Sequence, residues 1–235
     1  MSGFISTILC LYLFISCSAL ASGAFGPIEN RLIFDGNKSF ISYKISNTDN
    51  KLPWLVQSWI EDYKENRTND FITAPLVFRV EPSSKFSVRI IKNNSLREDQ
   101  ETIYWVVSNA IPGGNGKKLE QEDGKINAKL SLAYRYKVPM IYRPKSLENI
   151  KQKPESLIWS VDEKQGMQVY NPSRYAVQIN YISINGKRKQ GDGISYLLPP
   201  LTKSGISIKA PIGTKIKYGI VNDYGAVNEY EGIVK

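Results

Sequence analysis

From Pro27 onward the chain is built of short runs rich in Val, Ile, Tyr, Phe and Trp. Each run is cut off by a cluster of Asn, Asp, Gly, Pro or Ser, and no stretch carries the period of a long amphipathic helix. That punctuation restricts the chain to an all-β fold, since β-branched and aromatic side chains suit a pleated, half-buried surface and turn residues end it. Candidate strands run over Glu29 to Phe34, Ser39 to Ser46, Trp54 to Glu61, Phe71 to Val80, Phe86 to Ile91, Thr102 to Ala110 and Ala128 to Tyr142. Seven strands suffice for one immunoglobulin-like sandwich.

A polar, glycine-rich stretch, Pro112 to Asn127, separates the last two of these strands, and its composition predicts a mobile loop. After Pro144 a polar linker, Lys145 to Glu155, leads to shorter strands at Leu157 to Val161, Met167 to Asn171, Ala176 to Ile184, Ser195 to Leu198, Gly205 to Ile208 and Lys215 to Val221. The expected architecture is two immunoglobulin-like β-sandwich domains, residues 22–144 and 145–235, behind a leader of residues 1–21.

That leader, Met1 to Ala21, holds no charged side chain; an apolar run, Phe4 to Ile15, turns small and ends on Ala19-Leu20-Ala21, the small-x-small pattern of a secretory signal. The run is too short for a spanning helix, so export without membrane insertion is expected, and Phe14-Ile15-Ser16-Cys17 is only a distant cousin of a lipoprotein box. Both cysteines, Cys10 and Cys17, leave with the signal, so apolar cores and not disulfides must hold the mature protein. With no histidine in the chain, Ser-His-Asp and Cys-His nucleophiles and the commonest zinc sites are closed, and neither metal nor cofactor is expected. The net charge of +9 comes from scattered Lys and Arg, which favours solubility and attraction of acidic partners over nucleic acid.

Several segments, in order, resemble the periplasmic chaperones of chaperone-usher pilus systems. In the first domain they are Asn30-Arg31-Leu32-Ile33-Phe34-Asp35-Gly36, the run Leu52 to Glu61, Phe71-Ile72-Thr73-Ala74-Pro75-Leu76, Phe78 to Pro82, Glu101 to Trp105 with Ile111-Pro112, and Tyr142-Arg143-Pro144. In the second they are Asn171 to Val177, Leu197-Leu198-Pro199-Pro200 with Lys203-Ser204, and Val221-Asn222-Asp223-Tyr224-Gly225. The resemblance implies two immunoglobulin-like domains set at an angle around a cleft, a periplasmic location, no enzymatic activity, and pilus (fimbrial) subunits and an outer-membrane usher as partners. A dimer that caps its own edge stays open.

The last strand of the first domain is where pattern and resemblance meet. Leu130, Leu132, Tyr134, Tyr136, Val138, Met140 and Tyr142 occupy every second position, with Lys129, Ser131, Arg135 and Lys137 between them, so one face is apolar and the other polar. Its second half is ordinary core-facing strand; its first half reads as an exposed edge, a hazard worth keeping only if a partner pairs with it. The resemblance implies that Leu130, Leu132 and Tyr134, with Tyr136 beside them, are lent to an incomplete subunit. It also implies two cations that anchor the subunit's terminal carboxylate. Arg31 matches the first; the position of the second is Pro139, and the nearest cation with the right facing is Lys137. A proline there should sit where the backbone is unpaired or bulged.

The rival reading is a secreted immunoglobulin-like adhesion module that binds through loops, which the missing inter-sheet cysteines disfavour. An enzyme survives only through neighbouring carboxylates such as Glu61 and Asp62 or Glu120 and Glu122, which are expected to be solvated surface.

Overall fold

Alternation with period two decides the fold. Strand β4 below, Trp54–Asp62, reads buried, exposed, buried through Gln57, so one side chain in two enters a core while its neighbours face out. The computed structural model describes residues 24–113, 132–162 and 166–235, so the leader, the Pro112 to Asn127 loop beyond residue 113, Glu120, Glu122 and Leu130 lie outside the described residues.

The first domain contains β1 (Phe25–Pro27), β2 (Leu32–Asp35), β3 (Phe40–Asn47), β4, β5 (Phe71–Ala74), β6 (Val77–Val80), β7 (Ser84–Lys92), β8 (Thr102–Pro112) and β9 (Tyr134–Arg143). One sheet has the order β1-β3-β7-β5 and the other β2-β9-β8-β4-β6. Phe34, Tyr43, Ile45, Val56, Val88, Ile90, Val106, Met140 and Tyr142 fill the space between them and are fully buried. A polar seam crosses this core: the Ser58 and Ser108 hydroxyls lie 2.8 Å apart, Tyr43 Oη lies 3.2 Å from Ser108, and Thr73 Oγ1 donates to the Ser58 carbonyl at 2.6 Å, so no hydroxyl in it is left unpaired.

Phe71 to Val80 is two strands in opposite sheets and not one. Pro75 brings no N–H to a ladder, and the chain uses the break to cross from one sheet to the other. The Lys145 to Glu155 linker carries two short 3-10 turns, Lys145–Leu147 and Pro154–Ser156.

The second domain holds β10 (Ile158–Val161), β11 (Met167–Tyr170), β12 (Val177–Ile184), β13 (Lys187–Lys189), β14 (Leu197–Leu198), β15 (Lys203–Ile206), β16 (Lys215–Val221) and β17 (Val227–Ile233). Sheet β10-β11-β15 packs on β13-β12-β16-β17, with β14 beside β12. Trp159, Val169, Ile179, Ile182, Ile216 and Tyr218 form its core. Asn171, fully buried, ties the start of β12 to the Pro199-Pro200 turn by donating to the carbonyls of Tyr175 (2.7 Å) and Pro199 (3.1 Å), which explains the Asn-Pro-Ser motif.

A third, small apolar cluster, Ile103, Ile141 and Ala176 with Ile33 and Leu197, joins the two domains. It lies on the outer face of the β2-β9-β8-β4 sheet, so that face forms one wall of the region between the domains.

Candidate functional site

Strand β9 divides where its neighbours divide. Along one edge it pairs with β8 from Tyr134 to Tyr142, without a shift, from Thr102↔Tyr142 to Ala110↔Tyr134. Along the other edge the parallel strand β2 covers only Met140 to Arg143. Among the described residues, Tyr134 to Pro139 therefore present an open main-chain edge. Pro139 lies at the boundary without a bulge, one residue before β2 pairing begins, as expected for a residue that has no donor to give.

The side chains follow the same division. Val138, Met140 and Tyr142 are buried in the first-domain core, whereas Leu132 is 55% exposed and Tyr134 42%. Tyr134 leans on Trp54, its ring centroid 5.3 Å away, and Tyr136 lies beside it at 6.0 Å. Tyr136 is half-buried: its hydroxyl donates to the Phe25 carbonyl, and its ring fills the space a side chain at Gly26 would need, since a Cβ there would come within 3.3 Å of the ring. Of the sequence-predicted donor residues, Tyr134 and Tyr136 thus share one face of β9, and Leu132 is exposed two residues before the strand begins; Tyr136 is in addition tied to the domain's own first strand.

The opposite face of β9 carries Arg135, Lys137, Pro139, Ile141 and Arg143, and here the ionic chemistry gathers. Lys137 Nζ lies 3.2 Å from Glu61 Oε2 and 2.9 Å from Glu65 Oε1, over the Trp105 ring at 5.3 Å. Arg135 Nη2 donates to Glu61 Oε1 at 2.6 Å, and Trp59 Nε1 donates to the same oxygen at 2.9 Å. Glu61 is buried, 4% exposed, so the expectation of solvated carboxylates fails for it. Its position on β4 places it under the β9 cations, and those cations offset its desolvation. Burial pushes its carboxyl up, but the Trp59 N–H together with the Lys137 and Arg135 charges hold it below the ordinary glutamate value.

Arg31 precedes β2, and the β2–β9 register sets it opposite Pro139, on the same face as Lys137. Its side chain is only 5% exposed. Nη1 donates to Gln178 Oε1 and to the Val221 carbonyl, both at 3.2 Å, and Nη2 lies 3.9 Å from Asp223 Oδ1. Burial lowers the Arg31 pKa from its ordinary value, while Asp223 and Glu101 oppose that. Beside it Arg143 Nε donates to Glu101 Oε1 at 2.6 Å and its two terminal nitrogens to Asp223 at 2.6 and 3.1 Å, while Glu101 Oε2 accepts from the Ala176 N–H at 2.7 Å. Glu101 and Arg143 in the first domain and Asp223 in the second therefore fix the angle between the domains with charge-assisted bonds. Glu101 and Asp223 were visible only as parts of motifs; nothing in the local sequence shows that they meet.

What this arrangement can do is pair a strand along β9 and hold an anion near its base. Among the described residues no group of three or more His, Cys, Asp or Glu could hold a metal ion. Residues 24–148 match the model of the pili and flagellar-assembly chaperone PapD N-terminal domain, and residues 152–232 that of the pili assembly chaperone PapD C-terminal domain.

The chain belongs to the pilus-assembly chaperone family.

Similar curated proteins include the probable fimbrial chaperone LpfB of Escherichia coli O157:H7, 31% identical over 218 residues, covering 91% of this chain and 89% of LpfB. Among solved structures, the periplasmic chaperone SfaE matches with TM-score 0.70 and 23% identity over 90% of this chain and 99% of SfaE. The Salmonella enterica structure of the SafA pilin in complex with the SafB chaperone matches with TM-score 0.71 and 23% identity, over 90% of this chain and 96% of that one. These structures share the two-domain immunoglobulin-like fold of this chaperone. No helix among the described residues is long and apolar enough to cross a membrane.

Proposed function

We propose that this pilus-assembly chaperone acts in the periplasm by donor-strand complementation, lending β9 and the residues just before it to an incomplete pilus subunit and passing the subunit to an outer-membrane usher. The observation that carries the reading is the open edge of β9 from Tyr134 to Pro139, beside a stretch of the same strand that is paired on both sides. An added strand gains main-chain bonds along that edge, and alternate side chains give specificity. Leu130, Leu132 and Tyr134 enter the subunit's groove, with Tyr136 at its margin. Two tyrosines among the four favour a groove with roomy or partly polar pockets.

The subunit's terminal carboxylate is held between Arg31 and Lys137. A guanidinium and an ammonium in a sheltered site form charge-assisted bonds to a carboxylate and so fix the register of the added strand. Gln178 and the Val221 carbonyl hold the Arg31 side chain in place before any subunit arrives, so little side-chain entropy is lost on binding. The donor-bearing domain is residues 22–144 and its partner domain 145–235. The pilin in the SafA–SafB structure is a partner of the same chemical kind. Nothing in this action requires a bond to be made or broken, so no catalysis is invoked.

Co-expression with a pilus subunit tests the reading. Arg31→Ala should abolish recovery of the subunit while the chaperone stays a folded protein by circular dichroism. Unchanged recovery would remove Arg31 from the anchor.

A further inference from the structure

Lys137 is not a bare cation waiting for a ligand. Two carboxylates already neutralise it, and they differ in kind. Glu61 is buried and pinned: one of its oxygens is taken by Arg135 and Trp59 and the other faces Lys137. Glu65 is 66% exposed on its side chain and makes its ion pair with Lys137 from the tip of the hairpin that follows β4. That hairpin is closed by the Asp62 N–H to the Asn66 carbonyl (2.8 Å) and the Glu65 N–H to the Asp62 carbonyl (3.0 Å), with a left-handed backbone at Glu65 (φ 68°). None of those bonds involves the Glu65 carboxylate.

We propose that Glu65 is an exchangeable counter-ion of the anchor: its carboxylate occupies Lys137 in the free chaperone and is displaced, one carboxylate for another, when the subunit's terminal carboxylate binds. This rests on the reading of Lys137 as an anchor. The exchange conserves charge around the ammonium: with Glu61 fixed in place, Lys137 keeps two carboxylate partners whether the chaperone is empty or loaded. Glu61 cannot be the group displaced, because it would leave Arg135 and the Trp59 N–H behind and carry a buried charge out of place. Glu65 can swing into water with its backbone unmoved. Its presence therefore lowers affinity for any terminal carboxylate by the worth of one exposed ion pair, about a twofold to fivefold change in dissociation constant. It also sets specificity: a partner strand ending in an uncharged group cannot replace it.

The test titrates the full chaperone, followed by tryptophan fluorescence, with a synthetic peptide of a pilus subunit's last strand in free-acid and amidated forms. Glu65→Gln should tighten the free acid about twofold to fivefold, leave the amide unchanged, and lose its effect in the Lys137→Gln background. If Lys137→Gln weakens the free acid but Glu65→Gln changes nothing, the anchor stands and the exchange is overturned. If Lys137→Gln leaves the preference for acid over amide intact, the anchor assignment fails and the exchange with it. Equal binding of acid and amide to the unaltered chaperone overturns both. Glu65 lies on an exposed turn, and an unchanged unfolding midpoint for Glu65→Gln confirms that folding does not confound the comparison.

Discussion

The two halves of β9 share one alternating pattern and differ in almost everything else. From Met140 to Tyr142 the strand is paired on both edges, and its core-facing side chains, Met140 and Tyr142, are fully buried. From Tyr134 to Pro139 it is paired on one edge only, and its side chains grade from buried Val138 through half-buried Tyr136 to exposed Tyr134. A period-two apolar face is therefore no measure of burial. What decides is whether a second sheet lies over it, and β1, only Phe25–Pro27, is too short to cover the upstream half.

The sharpest way to break the comparison is to truncate a side chain in each half. Met140→Ala removes a fully buried side chain and should cost about 2–5 kcal/mol of stability, read as a lower urea midpoint at unchanged slope. An intermediate effect should come from acid. The Asp223 carboxyl is pushed up by burial, but the Arg143 bonds and the Arg31 charge outweigh that and hold it below the ordinary aspartate value; Glu61 is likewise held low. Depressed carboxylates contribute stability that is present above their unfolded values, near pH 4, and is lost as pH falls through the lower folded values. Glu101 works in the opposite sense, since burial raises it despite Arg143. Urea midpoints should fall as pH drops below about 4, and Asp223→Asn and Glu61→Gln should each flatten that fall. If only Asp223→Asn does so, the upstream cluster is looser than its distances say. The smallest effect on stability belongs to Leu132→Ser and Tyr134→Ser. Both sites are exposed, so the cost should stay within about 0.5 kcal/mol while recovery of a co-expressed subunit is lost. A variant that keeps its subunits would return the upstream half to ordinary surface.

The alternation along β9 could be read from the sequence by parity, and its division into a core-facing half and an open half was suggested by the polar, glycine-rich stretch before it and by the family resemblance that fixes the count from Tyr142. The partners of its polar face could not. Glu61 follows an apolar run and precedes a polar turn, so locally it is a surface carboxylate; only the β4–β8–β9 order brings Arg135 and Lys137 over it. Arg31 finds Gln178 from 147 residues away, a distance no local pattern spans. Phe71 to Val80 read as one strand because its apolar content is continuous, although Pro75 marked the crossing. Strand β17 went unread for the opposite reason: Val227-Asn228-Glu229-Tyr230-Glu231-Gly232-Ile233 is an edge strand with mostly exposed residues, and it shows little hydrophobic contrast to detect. Short β1 and the cationic β13, Lys187–Lys189, are too brief or too polar for a periodic signal.

Pro139 acts as a mark on this scaffold. Met140, its neighbour, is where β2 starts, and Arg31 stands opposite Pro139 itself. A strand laid along the open edge from the upstream end travels toward a residue that offers no N–H and then meets the beginning of β2 head-on. On the proposed donor-strand reading, the start of β2 caps the length of any strand laid along that edge, so guests of different sequence would end at the same place, beside Arg31.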